Sequence, residues 1–258
     1  MAIILKSSEE IDALACAGQM VARVLRDLCD MAQPDVTTLE LDKAAETWIR
    51  KAGAEPAFKG YRGYEYTICA SLNEEVVHGL PSRERKLAKG DVLSLDVGVM
   101  LNGFCGDSAV TIVVGGGPSS AGPLLETAQE GLRLGIAQAR AGNRVGDISH
   151  AVESYVLSRG FQVVRDFVGH GIGRDIHEEP QVPNFGEPHK GPRLRVGMVL
   201  AIEPMVNVGG HEVEILSDRW TVVTRDRSLS VHFEHMVAIT DNGPIVLTKL
   251  DSAESGEG

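Results

Sequence analysis

Ten residues, Leu87-Ala88-Lys89-Gly90-Asp91-Val92-Leu93-Ser94-Leu95-Asp96, recur in altered form as Leu194-Arg195-Val196-Gly197-Met198-Val199-Leu200-Ala201-Ile202-Glu203. The shift is 107 positions without a gap, and each copy ends an apolar run on a carboxylate. An isolated carboxylate at the end of an apolar strand is costly to bury, so something cationic belongs beside it. Finding it at equivalent places of two segments predicts one site assembled from two halves of a duplicated domain, centred on Asp96 and Glu203.

The duplication reaches beyond the strand. At the same shift of 107, Ala44, Glu46, Thr47, Trp48, Ile49 and Gly53 meet Ala151, Glu153, Ser154, Tyr155, Val156 and Gly160, so a helix and a distant strand keep their separation. Asp107-Ser108-Ala109-Val110 answers Glu234-His235-Met236-Val237 at a shift of 127, which places a 20-residue insertion between Glu203 and Glu234. His78-Gly79-Leu80 answers His170-Gly171-Ile172 at a shift of 92. Each half therefore offers a histidine, a strand-end carboxylate and a second carboxylate, in that order. The expected organisation is a single catalytic domain over residues 1–250, with halves at about 8–117 and 118–250, followed by a disordered acidic tail at 251–258.

A chain of 258 residues, 43% hydrophobic and 24% charged, suits a globular protein with a sizeable core. The formal charge of −11 argues against a broad nucleic-acid surface, and no direct nucleic-acid binding is expected. Arg83, Arg85, Lys86 and Lys89 form a local basic cluster, read as a solvated loop. No apolar run is long enough to span a bilayer, and Ala2-Ile3-Ile4-Leu5 is too short for a signal peptide, so no membrane partner is expected. Cys16, Cys29, Cys69 and Cys105 are scattered and form no Cys-x-x-Cys pair, which points to free thiols and a cytoplasmic setting. Nothing in the sequence demands more than a monomer.

Capping-box spacings at Ser7/Glu10 and Thr37/Glu40 predict helices that end before Pro34 and at Gly53. Two further helices are predicted from Leu124 to Ala141 and from Ile148 to Arg159. Strands are predicted at Thr67–Ser71, Val92–Val99, Phe104–Val114, Val199–Val206, Glu212–Leu216, Trp220–Thr224 and His232–Thr240. Asn102-Gly103 is a hairpin signal between two of them. If those residues form the turn, Asp96 lies opposite Ala109 and shares a face with Asp107. Diagonal neighbours on one face are roughly 7–8 Å apart, close enough to converge on one ion.

Two carboxylates so placed repel unless a cation intervenes. A buried arginine beside one of them is the alternative, but no arginine recurs at matched positions of the two halves. Asp96, Asp107, Glu203 and Glu234 with His170 make an oxygen-rich set carrying one imidazole, which suits Mn, Fe, Co or Zn. Four negative charges exceed what one divalent ion neutralises, so two divalent metal ions sharing carboxylates fit better. Such pairs promote hydrolysis. The His-Glu-x-x-His zinc motif is absent, because His177-Glu178-Glu179-Pro180 lacks the second histidine.

These residues also carry a family resemblance. Gly169-His170-Gly171-Ile172-Gly173, His177-Glu178-Glu179-Pro180, Ile202-Glu203-Pro204 and Phe233-Glu234-His235 resemble the motifs of type I methionine aminopeptidases. So do Asn73-Glu74-Glu75-Val76-Val77-His78-Gly79-Leu80-Pro81, Asp96-Val97-Gly98 and Asp107, and the likeness runs from about Ser8 to Leu250. The resemblance implies an α+β, pseudo-two-fold pita-bread fold: a central antiparallel sheet covered by two pairs of helices. It implies that Asp96 and Asp107 hold one metal, that His170 and Glu203 hold the other, and that Asp107 and Glu234 bridge. It makes Glu203 a proton acceptor and donor for a metal-activated hydroxide, with His78 and His177 holding the substrate amide and stabilising developing charge. Tyr61, Tyr64, Cys69 and Trp220 match positions lining a methionine pocket, although each also reads as ordinary core packing. The implied activity is removal of the initiator methionine from nascent polypeptide N-termini near the ribosome when the second residue is small.

The 30 residues between Glu203 and Glu234 are too few for the helical insertion of type II enzymes, so the chain resembles the short bacterial form. Leu80 and Ile176 depart from the pattern, and Ile176, next to His177, is expected to line the side-chain pocket. His150, His189, His211, His232 and His235 carry no motif and are read as structural; His78 is lifted above them by its glycine-rich loop and its symmetry with His170. Gly115-Gly116-Gly117 is read as a plain loop. The competing enzyme reading is an X-Pro aminopeptidase or prolidase, whose additional N-terminal domain has no room here. The non-enzymatic reading is a metal-free scaffold of the same fold.

Overall fold

The computed structural model describes residues 2–117 and 119–250; the acidic tail expected at 251–258 lies outside them. Both capping boxes form: Ser7 Oγ and the Glu10 carboxylate close the start of α1 (Ser8–Met31), and Thr37 with Glu40 closes that of α2 (Thr38–Lys51). The third and fourth helices are α3 (Gly122–Gln138), which starts earlier than its apolar spacing suggests because Pro123 suits a first turn, and α4 (Val145–Ser158). Among the described residues no helix is long and apolar enough to cross a membrane.

Two antiparallel sheets carry the fold. In the first, Val92–Leu101 lies between Ile68–Leu72 and Phe104–Val113, with Glu55–Pro56 beside its far end. In the second, the order is Gly243–Val246, His235–Thr240, Val199–Ile202, Gly169–Gly171, Glu178–Val182. Because side chains alternate along a strand, Leu93, Leu95, Val97 and Val99 all face one way and pack under α1 and α2 with Leu25, Leu28, Leu41 and Ile49. Leu200, Ile202, Val237 and Ile239 do the same under α3 and α4 with Leu132, Ile148 and Val152. The α+β pita-bread arrangement follows from that alternation: helix pairs cover the apolar faces, and Asp96 and Glu203 take the intervening parity.

The two sheets meet where Glu234 N donates to Ala109 O (2.9 Å) and Ser108 Oγ donates to Glu234 O (2.5 Å). Among the described residues there are also two smaller three-stranded sheets, one of them Val213–Ile215, Val222–Thr224 and Glu75–Val77.

Two predicted strands are each broken in two. Val199–Val206 becomes Val199–Ile202 and Met205–Asn207, and His232–Thr240 becomes Ser230–His232 and His235–Thr240. The breaks face each other, since Ile202 pairs with His235 and Met205 with His232 in one continuous register. Pro204 has no N–H to donate to the ladder, so the pairing opens there, at Glu203 and Glu234.

Candidate active site

The first pair of carboxylates is placed by the hairpin. Asn102 and Gly103 both adopt positive φ (52° and 80°), as a two-residue primed turn requires. The register then sets Asp96 opposite Ala109 and Gly98 opposite Asp107, so the aspartates are diagonal neighbours on the face turned away from α1 and α2. The second pair is set by the interrupted ladder, whose register puts Glu203 across from Glu234. Like charges directly opposite are destabilising unless something positive lies between them.

His170 enters through Gly169–Gly171, a strand squeezed between two neighbours. A Cβ on Gly169 would strike the carbonyl oxygen of Ala201, and one on Gly171 that of Glu179. Only glycine on both sides lets the imidazole sit this deep. Its Nδ1 lies 3.0 Å from the carbonyl of Gly171. A carbonyl can only accept, so Nδ1 donates and Nε2 turns its lone pair toward Glu203 Oε1 (3.4 Å) and Asp107 Oδ2 (3.8 Å).

Asp107, His170 and Glu234 are buried, and their donor atoms lie within 4.8 Å of one another. Asp107 Oδ1, Asp96 Oδ1 and Glu234 Oε1 are buried without a hydrogen-bond partner. Among the described residues, the ionisable partners that reach Asp107 and Glu203 are histidines rather than lysines or arginines. Burial pushes Asp96 up to about 7 and Glu203 to about 8, and burial with repulsion from the other carboxylates holds Asp107 and Glu234 well above the ordinary carboxylate range. Burial brings His170 down to about 3 and His78 to about 4, keeping their imidazoles neutral. Orphaned carboxylate oxygens around a neutral imidazole are a donor set that a divalent cation fits.

The carboxylates open into a cavity of about 280 Å³. The catalytic, metal and substrate candidates expected from the sequence line it, Ile176 excepted: Tyr61, Tyr64, Cys69, His78, Asp96, Asp107, His170, His177, Glu203, Trp220 and Glu234. One wall is apolar. Tyr64 meets Trp220 edge-on at 5.0 Å between ring centroids and donates its hydroxyl to Ile68 O (2.8 Å). His78 stands edge-on to Phe167 (5.6 Å) and Trp220 (6.3 Å), with left-handed backbone at φ 60°. That conformation is costly for a non-glycine residue and typical of functional positions. His177 pairs its Nδ1 with the Tyr61 hydroxyl (3.0 Å) and lies against the His170 ring at 4.3 Å.

Ile176 is a correction: it does not line the cavity, because its side chain is taken up, 5% exposed, in the apolar cluster of Phe104, Cys105 and Ile172. His232 is another. Its sequence context reads as structural, yet it lines the cavity 2% exposed, with Nε2 3.6 Å from Glu203 Oε2. Phe58 and Phe167 also line the wall, beyond what the sequence suggests; the one signal for them is their position beside the Gly60–Tyr64 and Gly169–Gly171 segments.

Known proteins resemble this chain in sequence and fold. Residues 12–241 match Metallopeptidase family M24. A methionine aminopeptidase of Clostridium acetobutylicum is 50% identical over 246 residues, covering 95% of this chain and 98% of the relative. The crystal structure of a methionine aminopeptidase from Thermotoga maritima superposes with a TM-score of 0.94 at 45% identity, covering 96% of this chain and 100% of that one. A prolidase from Pyrococcus horikoshii OT3 shares the fold alone, with a TM-score of 0.78 at 23% identity, 96% of this chain and 64% of that one. The chain belongs to metallopeptidase family M24, and within it to the methionine aminopeptidases.

Proposed function

We propose that the protein removes the initiator methionine from nascent polypeptides whose second residue is small, acting in the cytoplasm near the ribosome. The observation that carries this reading is the union, in one cavity, of an apolar aromatic wall with a cluster of orphaned carboxylates. Asp96, Asp107, His170, Glu203 and Glu234 would hold two divalent ions, of the class Mn, Fe, Co or Zn. Bound there, the ions supply Lewis acidity and lower the pKa of water.

The chain's own residues do the rest. Tyr64, Cys69 and Trp220, with Phe58, enclose the methionine side chain; sulfur against aromatic edges and a soft thiol is favourable. Tyr61 orients His177 through its Nδ1, which leaves Nε2 to face the substrate amide. His78, held neutral by burial, offers a hydrogen bond near the scissile bond rather than a second positive charge. Glu203, the strand-end carboxylate beside the acid cluster, accepts the proton of the attacking water and returns it to the leaving amine.

The test offers Met-Ala-Ser, Leu-Ala-Ser and Ala-Pro peptides to metal-supplied protein. Release of methionine from the first, at least tenfold faster than any release from the others, supports the assignment. Preferential cleavage of Ala-Pro overturns it in favour of X-Pro hydrolysis.

A further inference from the structure

His232 is the histidine of the cavity for which the proposed function has no use. Its backbone is clamped: Thr111 Oγ1 accepts from His232 N (3.0 Å) and donates to His232 O (2.7 Å). Ser94 Oγ, 2.7 Å from Thr111 Oγ1, donates its own hydrogen to that hydroxyl. Pairing with Met205 fixes the strand on its other side. The imidazole is therefore aimed by two elements at once, yet both its ring nitrogens are buried without a partner. A buried polar group left unpaired in a native structure is rare and calls for an explanation.

Its neighbour supplies one. The Glu203 carboxylate is divided between two imidazoles, with Oε1 3.4 Å from His170 Nε2 and Oε2 3.6 Å from His232 Nε2. His170 uses its N–H on Gly171 and so presents a lone pair to Oε1. His232 has no such engagement, and its N–H is free for Oε2. The 3.6 Å separation exceeds a hydrogen bond, and a small rotation of either side chain closes it.

We propose that His232 is a positioning residue for Glu203: its Nε2–H holds Oε2, which keeps Oε1 turned toward His170 and the metal position. The inference rests on the reading of Glu203 as a metal-holding, proton-handling carboxylate. A direct ligand role for His232 is disfavoured because the donor atoms that converge within 4.8 Å are those of Asp107, His170 and Glu234, and His232 stands at the other oxygen of Glu203. Outer groups that orient ligands this way typically carry 10–100-fold of metal affinity or activity.

The experiment compares the parent with His232→Leu, His232→Gln and His232→Asn. Cobalt binding to chelated protein is measured by calorimetry without substrate, then kcat and KM for Met-Ala-Ser. The glutamine amide reaches the Nε2 position; the shorter asparagine amide does not. The expected result is a roughly 10–100-fold loss of cobalt affinity and of kcat in the Leu and Asn variants, with KM little changed and recovery to near parental values in the Gln variant. Parental cobalt binding and kcat in the Leu variant overturn the inference, as does a Gln variant no better than the Asn variant, a contrast that decides even if the Leu variant does not fold. A parent that neither binds cobalt nor cleaves the peptide overturns the underlying functional reading instead.

Discussion

The amide of Glu234 donates to the carbonyl of Ala109 at 2.9 Å, joining the second half of the chain to the hairpin that carries Asp107. With the bond from Ser108 Oγ to Glu234 O, this contact lets two carboxyl groups from distant segments share one buried space, and it makes their repulsion part of the fold. Asp107→Asn and Glu234→Gln should each weaken divalent-metal binding while stabilising the metal-free protein at neutral pH, because each replaces a carboxyl whose ionised form is disfavoured by burial and by its neighbours with an amide that needs no proton to be buried. The expected gain is about 2–4 °C for roughly 1 kcal/mol, read from thermal melts in chelator. A melting temperature lowered by both substitutions contradicts the repulsion.

The raised carboxylates also set a pH dependence. A carboxyl group whose folded pKa lies above its unfolded value stabilises the protein at low pH and loses that contribution as pH rises toward the folded pKa. Burial lifts Asp96 to about 7 and Glu203 to about 8, so this loss continues through neutrality. The depressed histidines act oppositely but only below their unfolded value of about 6.5, since His170 and His78 titrate in the fold at about 3 and about 4. Metal-free protein should therefore lose thermal stability from about pH 6.5 to 8.5, and added manganese should raise the melting temperature most at the upper end. A flat or rising profile in chelator contradicts the arrangement.

Gly171 tests how closely the strand bearing His170 is confined. The methyl of Gly171→Ala would meet the backbone oxygen of Glu179, which cannot rotate away as a side chain can. The substitution should cost about 1–3 kcal/mol, as overpacking does, and lower metal affinity by displacing His170. Denaturant melts and metal titration of the variant check both effects; parental values in each would show that the strand yields freely.

The buried pair Lys6–Glu178, at 2.5 Å with side chains 4% and 6% exposed, ties the N-terminal segment to the residue after His177. Glu178 also accepts from Arg174 N (3.0 Å), holding the loop that leads to His177. Lys6→Met removes the cationic partner of that buried carboxylate, at a cost of about 3–5 kcal/mol. Turnover should fall along with stability, and Lys6→Met combined with Glu178→Gln should recover part of both. No recovery in the double variant would place the damage elsewhere.

Much of the site is legible in the sequence because it obeys local rules. Asn102-Gly103 fixes a turn, a turn fixes a register, and the register alone puts Asp96 and Asp107 on one face. The duplicated strand likewise locates Glu203 by parity. His170 is legible as a motif but not as a strand, since Gly169–Gly171 is held by its neighbours rather than by its own propensity. His232 is hidden for a related reason. Nothing in Ser230-Val231-His232 differs from an ordinary buried strand, and it is the clamp by Thr111 together with the pairing to Met205 that sets the imidazole beside Glu203. Ile176 misleads through adjacency: the residue beside His177 joins the apolar cluster of Phe104, Cys105 and Ile172 instead of the cavity wall.

Metal-dependent turnover bears most directly on the proposed chemistry. Chelated protein receives manganese or cobalt in stepwise equivalents while methionine release from Met-Ala-Ser is followed, with Glu203→Gln in parallel. The predicted result is no release without metal, activity rising with the equivalents bound, and a Glu203→Gln variant that keeps the parental fold yet stays inactive at every metal level. Equal release with and without metal, or normal turnover in that variant, would contradict it.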